Sequence, residues 1–242
     1  MFKKSFVAAA IAAALVALLA AGSPANADPP LRTYRVTLEN LTNSQPFSPG
    51  IAVTHRPRVS LFDVGAPAST GIESIAEDGN QADAVSVFTG SDNVTDVFDI
   101  NRPITRDGTV VGTFTDSITF DIMARPGDRL SLATMLICTN DGITGLDSVR
   151  LPANGSVVYP SAGYDAGTEN NTEQSEDIVD ACGALGPSAL AGDPNGNIDG
   201  AVDTNPHGVI AHHPNILGGA DLSATLHDWS DPVAAITIER ID

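Results

Sequence analysis

Aromatic residues and positive charges are both scarce in this 242-residue sequence. Phe, Trp and Tyr make up 5% of it, with a single Trp and three Tyr. Sugar-binding clefts usually contain several aromatic side chains, so the composition disfavours a glycosidase. Lys and Arg together number 12, against 30 Asp and Glu. So acidic a surface repels nucleic acid and anionic lipid, and neither is expected as a partner.

Sequence signatures of catalysis are missing as well. The chain has no Gly-x-Ser-x-Gly elbow, no glycine-rich phosphate loop and no His-Glu-x-x-His zinc motif. Carboxylates are numerous enough to supply the acid pair of a glycosidase. We therefore predict a protein that is not an enzyme, and we keep a hydrolase as the alternative.

The N-terminal segment has the pattern of a secretory signal peptide. Lys3 and Lys4 precede an apolar run over residues 6–21, and Ala25–Ala27 supplies small residues for cleavage. The run is short for a bilayer span, which needs about 20 residues. We predict a signal peptide over 1–27 and one exported domain over 28–242, with no membrane span after cleavage. That domain keeps 10 of the 12 basic residues and all 30 acidic ones.

Two cysteines, Cys138 and Cys182, are present. In an exported chain the default expectation is a disulfide between them, and two free thiols are the alternative. In the chain-entropy model, closing such a loop stabilises a protein by roughly 4 kcal/mol.

Period-two alternation of apolar residues dominates the domain. It is clearest near 34–38, 118–122, 130–136 and 236–238, and each run is bounded by Gly, Pro, Asn or Asp. Such runs are typical of half-buried antiparallel strands. Further strands are expected near 51–55, 87–98, 108–114 and 156–160. The fold class is therefore all-β, an antiparallel β-sandwich with long loops.

One short helix is predicted near 70–78. Thr70 and Glu73 fit a capping box, and Gly79 is a plausible stop. Residues 139–175 and 183–221 are rich in Gly, Asn, Asp, Thr or Pro and resist assignment as strands. We expect them to form long loops, which are often functional in a compact domain.

Two acidic turns are the best candidate site. Asp141 follows a strong strand, while Asp165 and Glu169 share a second turn. A Ca²⁺ ion takes six to eight oxygen ligands, often from carboxylates brought together by loops. These three side chains could bind Ca²⁺ with backbone carbonyls and water, although acidic turns are also common without a metal.

Two other segments have some features of metal sites. Residues 193–204 resemble part of an EF-hand loop, but Ile198 stands where Gly is needed and Thr204 where a bidentate Glu is needed. Late histidines could bind zinc, although adjacent residues such as His212 and His213 point to opposite faces of a strand. We expect a polar loop and ordinary polar histidines at these places; the late histidines are His207, His212, His213 and His227.

The domain resembles the spondin domain of secreted matrix proteins and its bacterial relatives. The segments that carry the resemblance are Val36–Thr42, Gln45–Pro49, His55, Ala68-Ser69, Ile75–Gly79, Pro126–Ser131, the two acidic turns, Trp229 and Asp231–Ala234. The resemblance implies a C2-like β-sandwich with one Ca²⁺ bound by loops at one end. It assigns the ligands to Asp141, Asp165 and Glu169, where the last replaces the Asp of the animal members.

These observations together predict a secreted, calcium-binding module for adhesion or for contact with a matrix or envelope ligand. Gly142-Ile143 replaces an aromatic residue that follows the first aspartate in the animal proteins, so their adhesive partners are not carried over. The alternative is a secreted hydrolase acting on polysaccharide or ester at the same loops. A disulfide between Cys138 and Cys182 would hold the two acidic turns together and lower the ordering cost of binding.

Overall fold

A computed structural model describes residues 30–105, 114–194 and 208–242. The predicted signal peptide, the position of His207, most of the 193–204 loop and most of the strand expected near 108–114 lie outside these residues. Within the described residues, no helix combines the length and the apolar character needed to cross a membrane.

Two antiparallel sheets form the molecule, and this confirms the predicted β-sandwich. The four-stranded sheet has the order β4-β1-β10-β7 and consists of β1 (Arg32–Asn40), β4 (Ser117–Ala124), β7 (Ser156–Ser161) and β10 (Ala234–Arg240). The six-stranded sheet has the order β3-β2-β5-β6-β8-β9 and consists of β2 (Phe47–His55), β3 (Val94–Ile100), β5 (Arg129–Leu136), β6 (Gly142–Arg150), β8 (Tyr164–Asp165) and β9 (Ala211–His212).

The strands of the four-stranded sheet alternate as the sequence predicts. In β1, Val36 and Leu38 are fully buried while Arg35 and Glu39 are exposed, because one face packs on the core and the other faces water. In β5, by contrast, every residue after Arg129 is buried. Its outer face is covered by helix α1 (Thr70–Asp78), so the expectation of a half-buried strand is wrong there.

Helix α1 has the predicted bounds but a different cap. The N-cap is Ser69, whose Oγ accepts a hydrogen bond from the Ile72 N–H, so the capping box assigned to Thr70 is wrong by one residue. Gly79 ends the helix in the left-handed conformation at φ 63°, as expected of a C-terminal glycine.

Two sequence-based assignments are wrong. Residues Ala82–Thr89 form a second helix, α2, so the strand expected over 87–98 begins only at Val94. The segment 139–175 contains β6, nine residues long, although it was expected to be a loop. Short helical pieces complete the described chain: a 3-10 turn at Ser175–Asp177, α3 (Ala181–Leu185) and α4 (Ala224–His227).

Candidate functional site

The two acidic turns meet at one end of the six-stranded sheet. Asp141 lies between β5 and β6, and β8 pairs with the start of β6. The backbone carbonyl of Asp141 accepts a hydrogen bond from the Ala166 N–H at 3.1 Å. Its Oδ2 accepts the N–H groups of Thr168 and Glu169 at 2.8 and 3.0 Å. One carboxylate therefore joins the turns that the sequence singled out.

Three carboxylate oxygens at this end are buried without a partner. Asp141 is 0% exposed and Glu169 is 4% exposed. Oδ1 of Asp141 and both side-chain oxygens of Glu169 have no hydrogen-bond partner. A buried, ionised carboxylate that is neither paired nor bonded is strongly disfavoured. These groups must therefore either hold a proton or lie against a cation.

The pKa values of both groups reflect this environment. Burial, followed by repulsion from Asp165, raises the pKa of Asp141 to about 6, although the N–H groups of Thr168 and Glu169 oppose the rise. Burial, followed by the charges of Glu77 and Asp141, raises the pKa of Glu169 to about 9. The nearby Asn140 side chain offsets only part of that rise.

A fourth carboxylate, Glu77, reaches the cluster from helix α1. Burial raises its pKa to about 7, and the charges of Glu73, Asp78 and Asp141 add to the effect. The sequence analysis missed Glu77 as a site residue. A signal was available, because α1 has acidic residues and no basic ones in its last turn. A helix C-terminus favours cations, so acidic residues there need another reason.

Asp165 is near the cluster but bonds within its own turn. Its Oδ1 accepts the Gly167 N–H at 2.7 Å and its Oδ2 accepts from Asn171 Nδ2 at 2.6 Å. Gly167 has a φ of 70°, and a Cβ there would lie 2.8 Å from the backbone of Val209. Asp165 and Glu169 also line a cavity of about 410 Å³ with Gly208, Val209 and Ala211. The turn thus lies beside an open cavity, although the side-chain oxygens of Glu169 are buried.

The three predicted ligands do not form a closed shell. Among the described residues, the group of three potential ligands whose atoms lie within 4.8 Å of one another is Cys138, Cys182 and His227. Its two sulfurs are joined in a disulfide and cannot act as thiolate ligands. Within the part of the chain that the structure describes, no such group is formed by any three of Glu77, Asp141, Asp165 and Glu169 either. A cation at the acidic turns would therefore have to draw these side chains together and Asp165 away from its present hydrogen bonds.

The predicted disulfide between Cys138 and Cys182 is confirmed, with the two Cα atoms 4.9 Å apart. Cys138 lies three residues before Asp141, and Cys182 lies in α3, beyond the second acidic turn. The bond therefore encloses both turns in one covalent loop.

The remaining late histidines do not share a site. His212 is exposed and its Nε2 lies 2.5 Å from Asp231 Oδ2, whereas His213 is buried against the Trp229 ring at 5.0 Å between centroids. Burial lowers the pKa of His213 to about 4. The two adjacent side chains thus have opposite environments, as their neighbouring positions predicted.

Two serine–histidine contacts have the composition of nucleophile–base pairs. Nδ1 of His227 lies 3.0 Å from the Ser223 nitrogen and 3.2 Å from the Ser223 carbonyl oxygen, and its Nε2 lies 3.2 Å from Ser188 Oγ. Nε2 of His55 lies 2.8 Å from Ser131 Oγ, and both of these residues are completely buried in the sheet. In both pairs the histidine is buried.

A search of curated proteins returns no match for this chain. The Spondin_N family profile matches residues 38–181, more than half of the sequence. The matched region includes Glu77, Asp141, Asp165 and Glu169 and the strands from β2 to β8, whereas β9 and β10 lie beyond it. The chain belongs to the Spondin_N family.

Proposed function

We propose that the protein is an exported, non-catalytic module that binds one Ca²⁺ at its acidic end and uses the ordered loops there for contact with an extracellular or envelope ligand. The observation that carries the proposal is the set of partnerless buried oxygens on Asp141 and Glu169. A divalent cation would offset the cost of burying their charges and their mutual repulsion, which now raise their pKa values.

The chemistry of the donor set fits a hard cation. Asp141, Glu169 and Glu77 supply carboxylate oxygens, and Asp165 could join them if its turn opened. An all-oxygen site suits Ca²⁺ or Mg²⁺ better than zinc, which favours nitrogen and sulfur donors. The flexible geometry of Ca²⁺ suits donors that come from a helix and two turns. Glu77 is the ligand that we add to the three that the sequence predicted.

Export is supported by the N-terminal sequence pattern and by the disulfide, which persists in oxidising compartments. The contact surface that we propose is the loop end around the 410 Å³ cavity, which Asp165 and Glu169 help to line. A bound cation would fix residues 165–171 before a partner arrives and so lower the cost of binding it.

Thermal unfolding with Ca²⁺ and with a chelator tests the proposal. At 100 times its dissociation constant, Ca²⁺ should add about 2.7 kcal/mol to the free energy of unfolding. Glu169→Gln should abolish the increase. Asp121→Asn, an exposed carboxylate on β4 that pairs with Arg35, should retain it. If Ca²⁺ leaves the melting temperature unchanged and the purified protein contains no calcium, the proposed calcium site is refuted.

A hydrolase acting at the same turns is the alternative, because a carboxyl group with a raised pKa can act as a general acid. A screen of polysaccharide and ester substrates distinguishes the two functions. Turnover that disappears in a folded Asp165→Ala variant would favour the hydrolase over the binding module.

A further inference from the structure

A cleft lined by arginines lies at the edge where β4 turns into β5. Arg32, Arg125, Arg129 and Arg150 line a cavity of about 260 Å³ together with Tyr34, Gly127, Asp128 and Leu151. These are four of the ten basic residues that follow position 27, in a chain whose net charge is −18. So strong a local concentration of positive charge runs against the composition of the whole molecule.

Strand pairing places the four arginines together. Arg129 begins β5 and Arg150 ends β6, and the two lie directly opposite each other in the antiparallel ladder. Like charges at such a position destabilise a sheet. Arg32 begins β1 and pairs with Ala124, the residue before Arg125. Arginines from both sheets therefore converge on one cleft at a cost in repulsion.

This charge is not neutralised from within the described parts of the chain. There, the ion pairs made by arginine involve Arg35, Arg56 and Arg240, and none involves an arginine of the cleft. Nη1 of Arg125 donates to the hydroxyl of Thr95, which is neutral.

The carboxylate that lines the cleft, Asp128, is engaged elsewhere. Its Oδ2 accepts from Thr95 Oγ1 at 2.6 Å and from the Arg125 backbone N–H at 2.8 Å. Its Oδ1 lies 3.9 Å from Nε of Arg56, which is outside the set that lines the cleft, and has no hydrogen-bond partner. Four arginines thus line the cleft with one carboxylate, whose Oδ2 is already bonded.

We propose that this cleft binds one tetrahedral oxyanion, a phosphate or sulfate group, either as the free ion or as a monoester. The guanidinium group presents a planar fork of donors that matches such oxygens in pairs. The volume lies just below the roughly 300 Å³ at which small-molecule pockets usually begin, which suits a single small group. The acidic surface elsewhere repels anions, so an anion is expected to bind at the arginine cleft.

The cleft is separate from the proposed calcium site. Arg129 begins β5, whereas Asp141 follows its other end, and eight residues of strand span roughly 25 Å. The two sites lie at opposite ends of one strand, and either proposal can fail without the other.

Calorimetric titration of the purified protein with inorganic phosphate, with sulfate and with glucose 6-phosphate tests the inference. The titrations are made in chelator, with chloride at matched ionic strength as the reference. We expect Arg129→Gln and Arg150→Gln each to weaken binding by about tenfold or more, because each removes a charge-assisted contact. Arg35→Gln, on the exposed face of β1, is the matched control and should bind as the unmodified protein does. Tighter binding of the sugar phosphate would identify the monoester as the natural form.

Thermal unfolding separates binding from a merely structural role. In chloride, Arg150→Gln should unfold at the same or a higher temperature, because it relieves the repulsion with Arg129. In phosphate, the unmodified protein should gain stability and this variant should not. The inference is overturned if none of the three anions binds at millimolar concentration, or if the two cleft variants bind them as well as the control.

Discussion

The substitution Asp141→Asn should change the stability of the protein in opposite directions with and without calcium. The amide keeps an oxygen that can accept the N–H groups of Thr168 and Glu169, which now bond to Oδ2. It cannot ionise, so it removes the charge that burial disfavours. It also removes one of the anionic ligands that we propose for Ca²⁺.

The magnitude follows from the pKa of Asp141, which burial and then Asp165 raise from 3.8 to about 6. A carboxyl group whose pKa is raised on folding contributes stability that is complete below about pH 4 and lost as the pH rises through about 6. The difference of about two pH units corresponds to about 3 kcal/mol at pH 8. In chelator at that pH, the variant should therefore unfold at a temperature higher by roughly 5–10 °C.

The assay is thermal unfolding at pH 5 and pH 8, in chelator and in millimolar Ca²⁺. In chelator the unmodified protein should be less stable at pH 8 than at pH 5, and the variant should show a smaller difference. In Ca²⁺ at 1,000 times its dissociation constant and pH 8 the order should reverse, because only the unmodified protein gains the binding energy of about 4.1 kcal/mol, which exceeds the cost of ionising Asp141. A variant that is less stable in chelator at pH 8, yet gains as much from Ca²⁺, would refute the reasoning.

Three further changes test other parts of the structure. Burial lowers the pKa of His213 to about 4, so its contribution to the free energy of unfolding should fall by roughly 3 kcal/mol as the pH drops from 6.5 to 4. Urea unfolding of His213→Phe should lack this loss, and equal pH profiles for the variant and the unmodified protein would contradict it. Reduction of the Cys138–Cys182 bond, which joins residues 44 apart, should lower the free energy of unfolding in urea by about 4 kcal/mol and should weaken Ca²⁺ binding in titrations. If the reduced protein binds Ca²⁺ with unchanged affinity, the bond has a structural role only. Gly145→Ala should destabilise by about 3 kcal/mol, because its Cβ would lie 1.8 Å from the Leu132 carbonyl oxygen, and a normal melting temperature would refute this close approach.

Most strands of the sandwich could be predicted because their apolar and polar side chains alternate between the buried face and the exposed face. Strand β6 could not, since its first five residues are all buried and show no alternation. It also contains Gly142 and Gly145, which usually signal a turn, but at Gly145 the glycine is needed where β5 comes close. Helix α2 was mistaken in part for a strand because Val85, Val87 and Phe88 favour strands on local grounds.

The part of the candidate calcium site that could be predicted consists of acidic residues that stand in turns of the sequence. Asp141 and Glu169 could be found because each stands in such a turn, and in the structure the Glu169 N–H donates to the Asp141 carboxylate. Glu77 could not be paired with them, because α1 approaches the turns only after it packs on β5. The arginine cleft was equally hidden, since Arg129 and Arg150 become neighbours only through the register of β5 with β6.

The Cys138–Cys182 bond has a consequence for how this molecule would respond to cutting by a protease. Asp141, Asp165 and Glu169 all lie in the segment between the two half-cystines. A single cut at the exposed residues 153–155 would open the backbone but leave both pieces covalently joined. The nicked protein would migrate as one band without reductant and as two with it, and its acidic turns would still be tethered to each other.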